Sequence, residues 1–248
     1  MLERVNTRAA TPPRHDDAVV AALAVALALP LAGKTVAIDP GHDGGNAAHA
    51  AQIGRLVDAG TVRKACDTVG ASTNDGYPEH AYTFDVALRL ARGLRAEGAR
   101  VILTRTSDTG WGPCITERAA IGNRAHADAA ISIHADGGPP SGRGFHVIYP
   151  PSIGGLTDDI ARASRRLALD VRAAFARGTA EPYATYVGRG GLDVRSDLGG
   201  LNLSDVPKVF VETANMRNAW DARRVESPAY REREARALAA GIAAFLRR

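Results

Sequence analysis

Four side chains in this sequence are of the types that hold a metal ion and move a proton, and each falls at a boundary of a regular element. His42 follows the run Val36-Ala37-Ile38-Asp39 through a Pro40-Gly41 turn, His134 closes Ile131-Ser132-Ile133, and Glu212 closes Val209-Phe210-Val211. Glu79 comes just after Gly76-Tyr77-Pro78 at the head of an amphipathic segment. There the free amides and the positive end of a helix dipole favour an ionised carboxylate. Two neutral imidazoles and one carboxylate form a zinc set that leaves a fourth position for water or substrate. A second carboxylate beside that position can take the water's proton. A single histidine at a strand end is more often a satisfied core or surface residue. Three strand ends that converge are another matter, because ligands bind beyond the carboxyl ends of the strands in open α/β sheets. His15, His49, His80, His126 and His146 have no such placement and read as structural or exposed.

The elements that must position these residues are legible from residue 35 onward. Short apolar runs alternate with longer amphipathic stretches, the pattern of an α/β domain with a twisted, mostly parallel sheet and helices on both faces. Strands are expected at 35–39, 101–104, 129–134, 144–149 and 208–212. Apolar residues at Tyr82, Val86, Leu90 and Leu94 line one face of a helix over 79–97, with Gly98 as its C-terminal cap. A second helix is expected over 156–176 and a third at the C-terminus, carrying Leu238, Ile242 and Phe245. Gly-rich loops at 137–144 and 188–200 can border a groove, and Arg189 and Arg195 in the latter are candidates to bind a substrate carboxylate.

The run from Lys34 to His42 resembles the start of the zinc-dependent N-acetylmuramoyl-L-alanine amidases. Three further blocks are similar to that family's in the same order: Gly76-Tyr77-Pro78-Glu79 with the helix and Val101-Ile102-Leu103-Thr104-Arg105 after it, Ser132-Ile133-His134-Ala135-Asp136, and Val209-Phe210-Val211-Glu212 with Asn218 downstream. The resemblance implies a catalytic domain over 32–248 and zinc held by His42, Glu79 and His134. It also implies that Glu212 acts as the catalytic carboxylate in hydrolysing the amide between N-acetylmuramic acid and L-alanine. Asp43 stands where the family usually has glycine, and Thr213-Ala214 replaces the commoner residues after the catalytic glutamate. Both bear on groove shape rather than on ligands. The cysteine pair and the segment Gly142-Arg143-Gly144-Phe145-His146 look most similar to single-domain mycobacterial and related actinobacterial members. Only one strand, one helix and a Gly-rich loop fill the interval between His134 and Glu212, so a site open without an activator is expected.

Composition is that of an ordinary globular protein rather than a disordered or fibrous one: 45% of residues are hydrophobic and 23% charged. The formal charge of +4 suits an anionic partner, but the arginines are scattered among acids, which argues against nucleic acid. Peptidoglycan fragments or muropeptides are the expected partners, and a monomer is the expected state. Residues 1–31 carry arginines and then an apolar run, a signal-like or N-terminal extension that implies export to a periplasm-like or cell-wall space. No later run is long enough to span a membrane. Cys66 and Cys114 fit one disulfide in an exported chain, with two buried thiols as the alternative. Two rival functions remain: a zinc exopeptidase or aminoacylase, and a wall-binding module without turnover. The first would cut unsugared peptides, and the presence of Glu212 argues against the second.

Overall fold

A computed structural model describes residues 29–248. The signal-like segment expected over 1–31 therefore lies outside the described residues except for its last three. The strands and longer helices, in chain order, are β1 (Thr35–Pro40), β2 (Leu56–Asp58), β3 (Arg63–Ala65), α1 (Glu79–Ala96), β4 (Arg100–Leu103), α2 (Ile115–Arg124) and β5 (Ala129–Asp136). There follow β6 (His146–Tyr149), α3 (Ala161–Thr179), β7 (Leu192–Val194), β8 (Lys208–Asn215), α4 (Ala219–Val225) and α5 (Pro228–Leu246). One sheet has the order β4-β1-β5-β8-β6-β7, and β2 and β3 form a separate hairpin. Strands β4, β1, β5 and β8 are parallel, while β6 runs antiparallel to β8 and carries β7 parallel to itself. The chain is thus a single α/β domain with a mostly parallel sheet. No helix of the described residues is long and apolar enough to cross a membrane.

The near-continuous apolar runs of the central strands follow from cover on both faces. Val36, Ile38, Ile131, Ile133, Val209 and Val211 join the main core with residues of α1, α3 and α5. Ala37 and Ala130 point the other way, into a smaller cluster with Ala127 and Val206. Gly122 of α2 packs there, 3.6 Å from Ala37 at the position its own Cβ would take. Small residues on this face let α2 come close to the sheet, which matters below because α2 carries Arg118.

The expected strands and the helix from Glu79 form, and Gly98 adopts φ +95° just beyond α1, a conformation that costs glycine little. The second helix begins at Ala161, five residues later than its apolar pattern suggests, and runs to Thr179. The Thr157 hydroxyl accepts from Ile153 N and donates to Pro151 O, holding the chain in turns before the helix. Such local bonding competes with helix formation. Cys66 and Cys114 form a disulfide.

Helices α3 and α5 meet through glycine. A Cβ on Gly241 would lie 2.6 Å from the Cα of Val171, and one on Gly178 would lie 2.7 Å from the Cβ of Ala237. In an open helix, Gly241→Ala would add about 1 kcal/mol through helix propensity. Here a backbone atom blocks the methyl, and overpacking of this kind costs about 1–3 kcal/mol. Gly241→Ala is therefore expected to lower stability, read as a lower urea midpoint at unchanged slope; a raised midpoint would show that the two helices separate without cost.

Candidate metal and proton-transfer site

The site is built from the residues that leave β1, begin α1 and end β5. Gly41 N donates to Ile133 O at 3.0 Å, which ties the β1 turn to β5. No side chain fits at Gly41, since a Cβ would stand 2.2 Å from the His134 ring. The next residue, His42, has φ 58°, a left-handed conformation that is costly outside glycine and typical of sites where the surroundings impose it. That turn brings the His42 ring over Glu79. Its Nδ1 donates to Thr68 O at 2.9 Å, which leaves Nε2 free and 3.2 Å from Glu79 Oε2. His134 Nδ1 lies 2.9 Å from Glu79 Oε1.

Glu79 is the first residue of α1. Its Oε2 accepts from Ala71 N at 2.7 Å and its Oε1 from Ala135 N at 3.1 Å, so the carboxylate cannot swing away. Gly70, at φ +80°, closes the cluster, and a Cβ there would meet His42 at 2.6 Å and Glu79 Oε2 at 2.8 Å. One ligand atom from each of His42, Glu79 and His134 lies within 4.8 Å of the others. Tetrahedral zinc with donors at about 2.0–2.2 Å sets neighbouring donors roughly 3.3 Å apart, and His42 Nε2 and Glu79 Oε2 already stand 3.2 Å apart. The bond from His42 Nδ1 to a backbone carbonyl is also the outer-shell contact that fixes a metal-binding tautomer. The donor set fits the ion.

Charge distribution follows from this packing. Burial disfavours the His42 cation, but the Glu79 and Asp67 carboxylates against its ring outweigh burial and raise its pKa to about 10. Burial opposes ionisation of Glu79 too, yet the two imidazoles hold its pKa well below the usual carboxylate range. Burial lowers that of His134. Glu212 has the opposite fate: burial, then the negative charge of Glu79 and Asp136, push its pKa well above the ordinary value. Its Oε2 is buried without a hydrogen-bond partner. Glu212 stands directly across from His134 in the β5–β8 register and from His146 in the β6–β8 register. Directly opposed residues share a sheet face, so His134, Glu212 and His146 form a row. The cluster and Glu212 together line a cavity of about 350 Å³ that also reaches Lys64, Ile115, Asp136, Leu198 and Gly200.

Beneath the ligands lies a buried guanidinium. Arg118 of α2 donates to Asp39 Oδ1 at 2.9 Å, Asp67 Oδ2 at 2.9 Å and the carbonyls of Pro40, His42, Gly112 and Pro113 at 2.7–3.0 Å. Asp67 in turn faces His42 Nδ1 at 3.5 Å. Asp39 also accepts from Ser132 and Thr104, each at 2.7 Å, and Lys208 lies 3.5 Å away.

The four residues that sequence alone places at element boundaries thus come together around one cavity. Of the two loop arginines, Arg195 bonds Asp197 at 2.7 and 2.8 Å and bears on Glu212 through its charge, whereas Arg189 is exposed on the turn before β7. Arg118, Asp67, Gly70 and the buried His146 were not legible. Arg118 and Asp67 look like solvated charges in sequence, and only the fold joins them.

Comparison with known proteins converges on one group. Residues 36–244 match the family model described as N-acetylmuramoyl-L-alanine amidase. An N-acetylmuramoyl-L-alanine amidase of Mycobacterium tuberculosis is 45% identical over 87% of this chain and 88% of its own length. The crystal structure of the N-acetylmuramyl-L-alanine amidase Ami1 from Mycobacterium smegmatis is 45% identical with a TM-score of 0.82, covering 87% of this chain and 98% of that one. Its counterpart from Mycobacterium abscessus gives 42% and 0.81, over 87% and 99% of the two chains.

Replacing Arg118 by Met would fill the space but leave Asp39 and Asp67 without their buried partner. Breaking a buried pair from one side costs about 3–5 kcal/mol. Denaturant titration is expected to show a loss of that order together with weakened metal binding, and a change below about 1 kcal/mol would mean that water replaces the guanidinium.

Proposed function

The chain belongs to the N-acetylmuramoyl-L-alanine amidase family, and from that premise we propose that His42, Glu79 and His134 hold a zinc ion beside which Glu212 transfers the protons of amide hydrolysis. The enzyme is a peptidoglycan hydrolase that cuts the amide between the lactyl group of N-acetylmuramic acid and the first L-alanine of the stem peptide. The single observation that supports the residue assignment best is the juxtaposition of a three-donor cluster with a buried, unpartnered carboxyl oxygen on Glu212 in the same cavity.

Zinc, when bound, supplies Lewis acidity: it polarises the amide carbonyl and brings the pKa of water near neutrality. Glu212 does the rest of the proton work. With a dication in place of the His42 proton, its carboxyl group ionises more readily and accepts a proton from the attacking water. As the C–N bond breaks, the same group returns that proton to the departing nitrogen. Water's oxygen ends on the acyl carbon and its two protons on the L-alanine amine. The row His134, Glu212, His146 keeps this carboxyl beside the metal and away from bulk water, where its pKa would fall. Arg195, paired with Asp197, is the groove-side cation for a stem-peptide carboxylate; Arg189 would act only on a substrate reaching the exposed turn. The reading extends to action in the cell-wall space on peptidoglycan fragments, by a monomer whose site is open without an activator. Unsugared peptides are poor substrates in this reading, which separates it from an exopeptidase.

Incubating zinc-loaded protein with muramoyl dipeptide should release a peptide with a free L-alanine amine, detected by mass spectrometry. Glu212→Gln should lose about a thousandfold in turnover, within the roughly 10²–10⁴ that a positioned general acid–base contributes, while keeping one zinc per chain. Turnover within tenfold of the parent would remove Glu212 from the chemistry.

Metal affinity should also depend on pH in a defined direction. Below about 10 the free His42 carries a proton that zinc must displace, so the apparent affinity should rise about tenfold per pH unit through the neutral range. An ordinary histidine near 6.5 would give a plateau above neutrality, and competition titrations against a chelator distinguish the two.

A further inference from the structure

Behind the metal cluster, three fully buried side chains form a chain of contacts that the reaction described above does not use. Glu234 of α5, Tyr82 of α1 and Thr213 of β8 are each 0% exposed. Glu234 Oε2 lies 2.9 Å from Tyr82 Oη, Tyr82 Oη lies 2.5 Å from Thr213 Oγ1, and Thr213 Oγ1 lies 3.0 Å from the carbonyl oxygen of His134. Thr213 adjoins Glu212, so the chain ends between the two residues on which the site depends.

Counting protons fixes its direction. The His134 carbonyl can only accept, so Thr213 must spend its single hydroxyl proton there. Thr213 Oγ1 is then an acceptor for Tyr82, whose one phenolic proton is used in turn. The contact between Tyr82 and Glu234 is left without a proton unless the carboxyl group supplies it. An ionised Glu234 would reverse every bond: Tyr82 would donate to Glu234, Thr213 to Tyr82, and the His134 carbonyl would lose the hydroxyl. The surroundings select between these alternatives. No basic side chain among the described residues pairs with Glu234, and its Oε1 has no partner at all. The charged and titratable groups facing it are Tyr82 on α1, Glu181 in the segment after α3, Arg224 on α4, and Tyr230 and Arg231 on α5. The two arginines are already engaged: Arg224 pairs with Glu181, and Arg231 with Asp85 at 2.5 Å. A carboxylate there would be a buried charge beside another acid, which is costly.

We propose that Glu234 is held as a neutral carboxylic acid heading a one-way hydrogen-bond chain through Tyr82 and Thr213 to the His134 carbonyl, and that it acts as a positioning residue for β5 and β8 where they carry His134 and Glu212. Burial, the largest influence on this group, pushes its pKa well above the ordinary 4.5 and agrees with that assignment. The idea rests on the amidase reading only for what the two strands do; the protonation state and the direction of the chain stand apart from it.

The test compares the full-length, zinc-loaded protein with Glu234→Gln, whose amide can donate to Tyr82 without ionising. In the unfolded chain Glu234 ionises near 4.5, whereas in the fold it keeps its proton, so the parent loses stability as pH rises above that value and the glutamine variant does not. The ratio of their unfolding constants should grow about tenfold per pH unit from about pH 5 upward. A ratio that stays constant with pH overturns the neutral acid. For the positioning role, Glu234→Gln should keep zinc affinity and turnover within about threefold of the parent, whereas Tyr82→Phe, which cuts the chain, should weaken zinc binding about tenfold, the effect of disturbing an outer-shell contact. Unchanged zinc affinity in Tyr82→Phe overturns that role. Should that variant fail to fold, Glu234→Ala decides it: weakened zinc binding that Glu234→Gln restores supports the role, and binding equal to the parent's overturns it. If muramoyl dipeptide is not cleaved at all, the pH-dependent stability ratio and the zinc affinities still read out the chain while the amidase reading fails separately.

Discussion

The arrangement around the His42, Glu79 and His134 cluster depends on one buried cation. Arg118 holds Asp39 at the end of β1 and Asp67 in the loop under His42, and it also bonds four carbonyls, two at the end and turn of β1 and two at 112–113. Each of those acceptors would be costly to bury alone. Together they force the β1 turn, the 66–68 segment and the 112–113 segment onto the same point, and the strained φ of His42 persists because the surroundings leave it no other path. The disulfide joins two of the same segments: Cys66 precedes Asp67, and Cys114 immediately precedes α2, the helix that carries Arg118. A covalent tie and an ion network thus secure the same loops to the same helix.

The two glutamates of this cavity are shifted in opposite directions by what each carboxyl group touches. Glu79 faces two imidazoles and two backbone amides, which favour its charge. Glu212 faces Glu79 and Asp136 with no donor on its Oε2, which disfavours it. Two acids separated in this way can divide metal binding from proton transfer without any difference in residue type, the division on which the proposed mechanism rests.

Much of this was legible in sequence for a physical reason. Strand ends and helix starts leave marks of their own, such as an apolar run that stops at a histidine or a carboxylate at a helix head, and His42, Glu79, His134 and Glu212 all sit at such marks. Strands β2, β3 and β7 left no comparable trace, because three residues on an edge or hairpin carry too little periodicity. Arg118 was hidden for a different reason: it sits in a helix rich in charge, and its burial depends on acids 51 and 79 residues away in sequence. His146 reads as an isolated histidine until the antiparallel register of β6 sets it beside Glu212. The five-residue delay before α3 came from a threonine hydroxyl, which the apolar pattern does not register.

The His134 ring is sandwiched. Phe210 stacks on it at 4.1 Å with an interplanar angle of 14°, and Gly41 presses from the direction where any side chain would collide. A ring so confined has no rotamer freedom left to lose when an ion arrives, and the same holds for the Glu79 carboxylate between its two amides. Capture then demands little motion from the polypeptide. What such a site would ask of an incoming cation is the displacement of the His42 proton and the shedding of hydration water, so the cost of capture would fall on protons and solvent rather than on rearrangement of the chain.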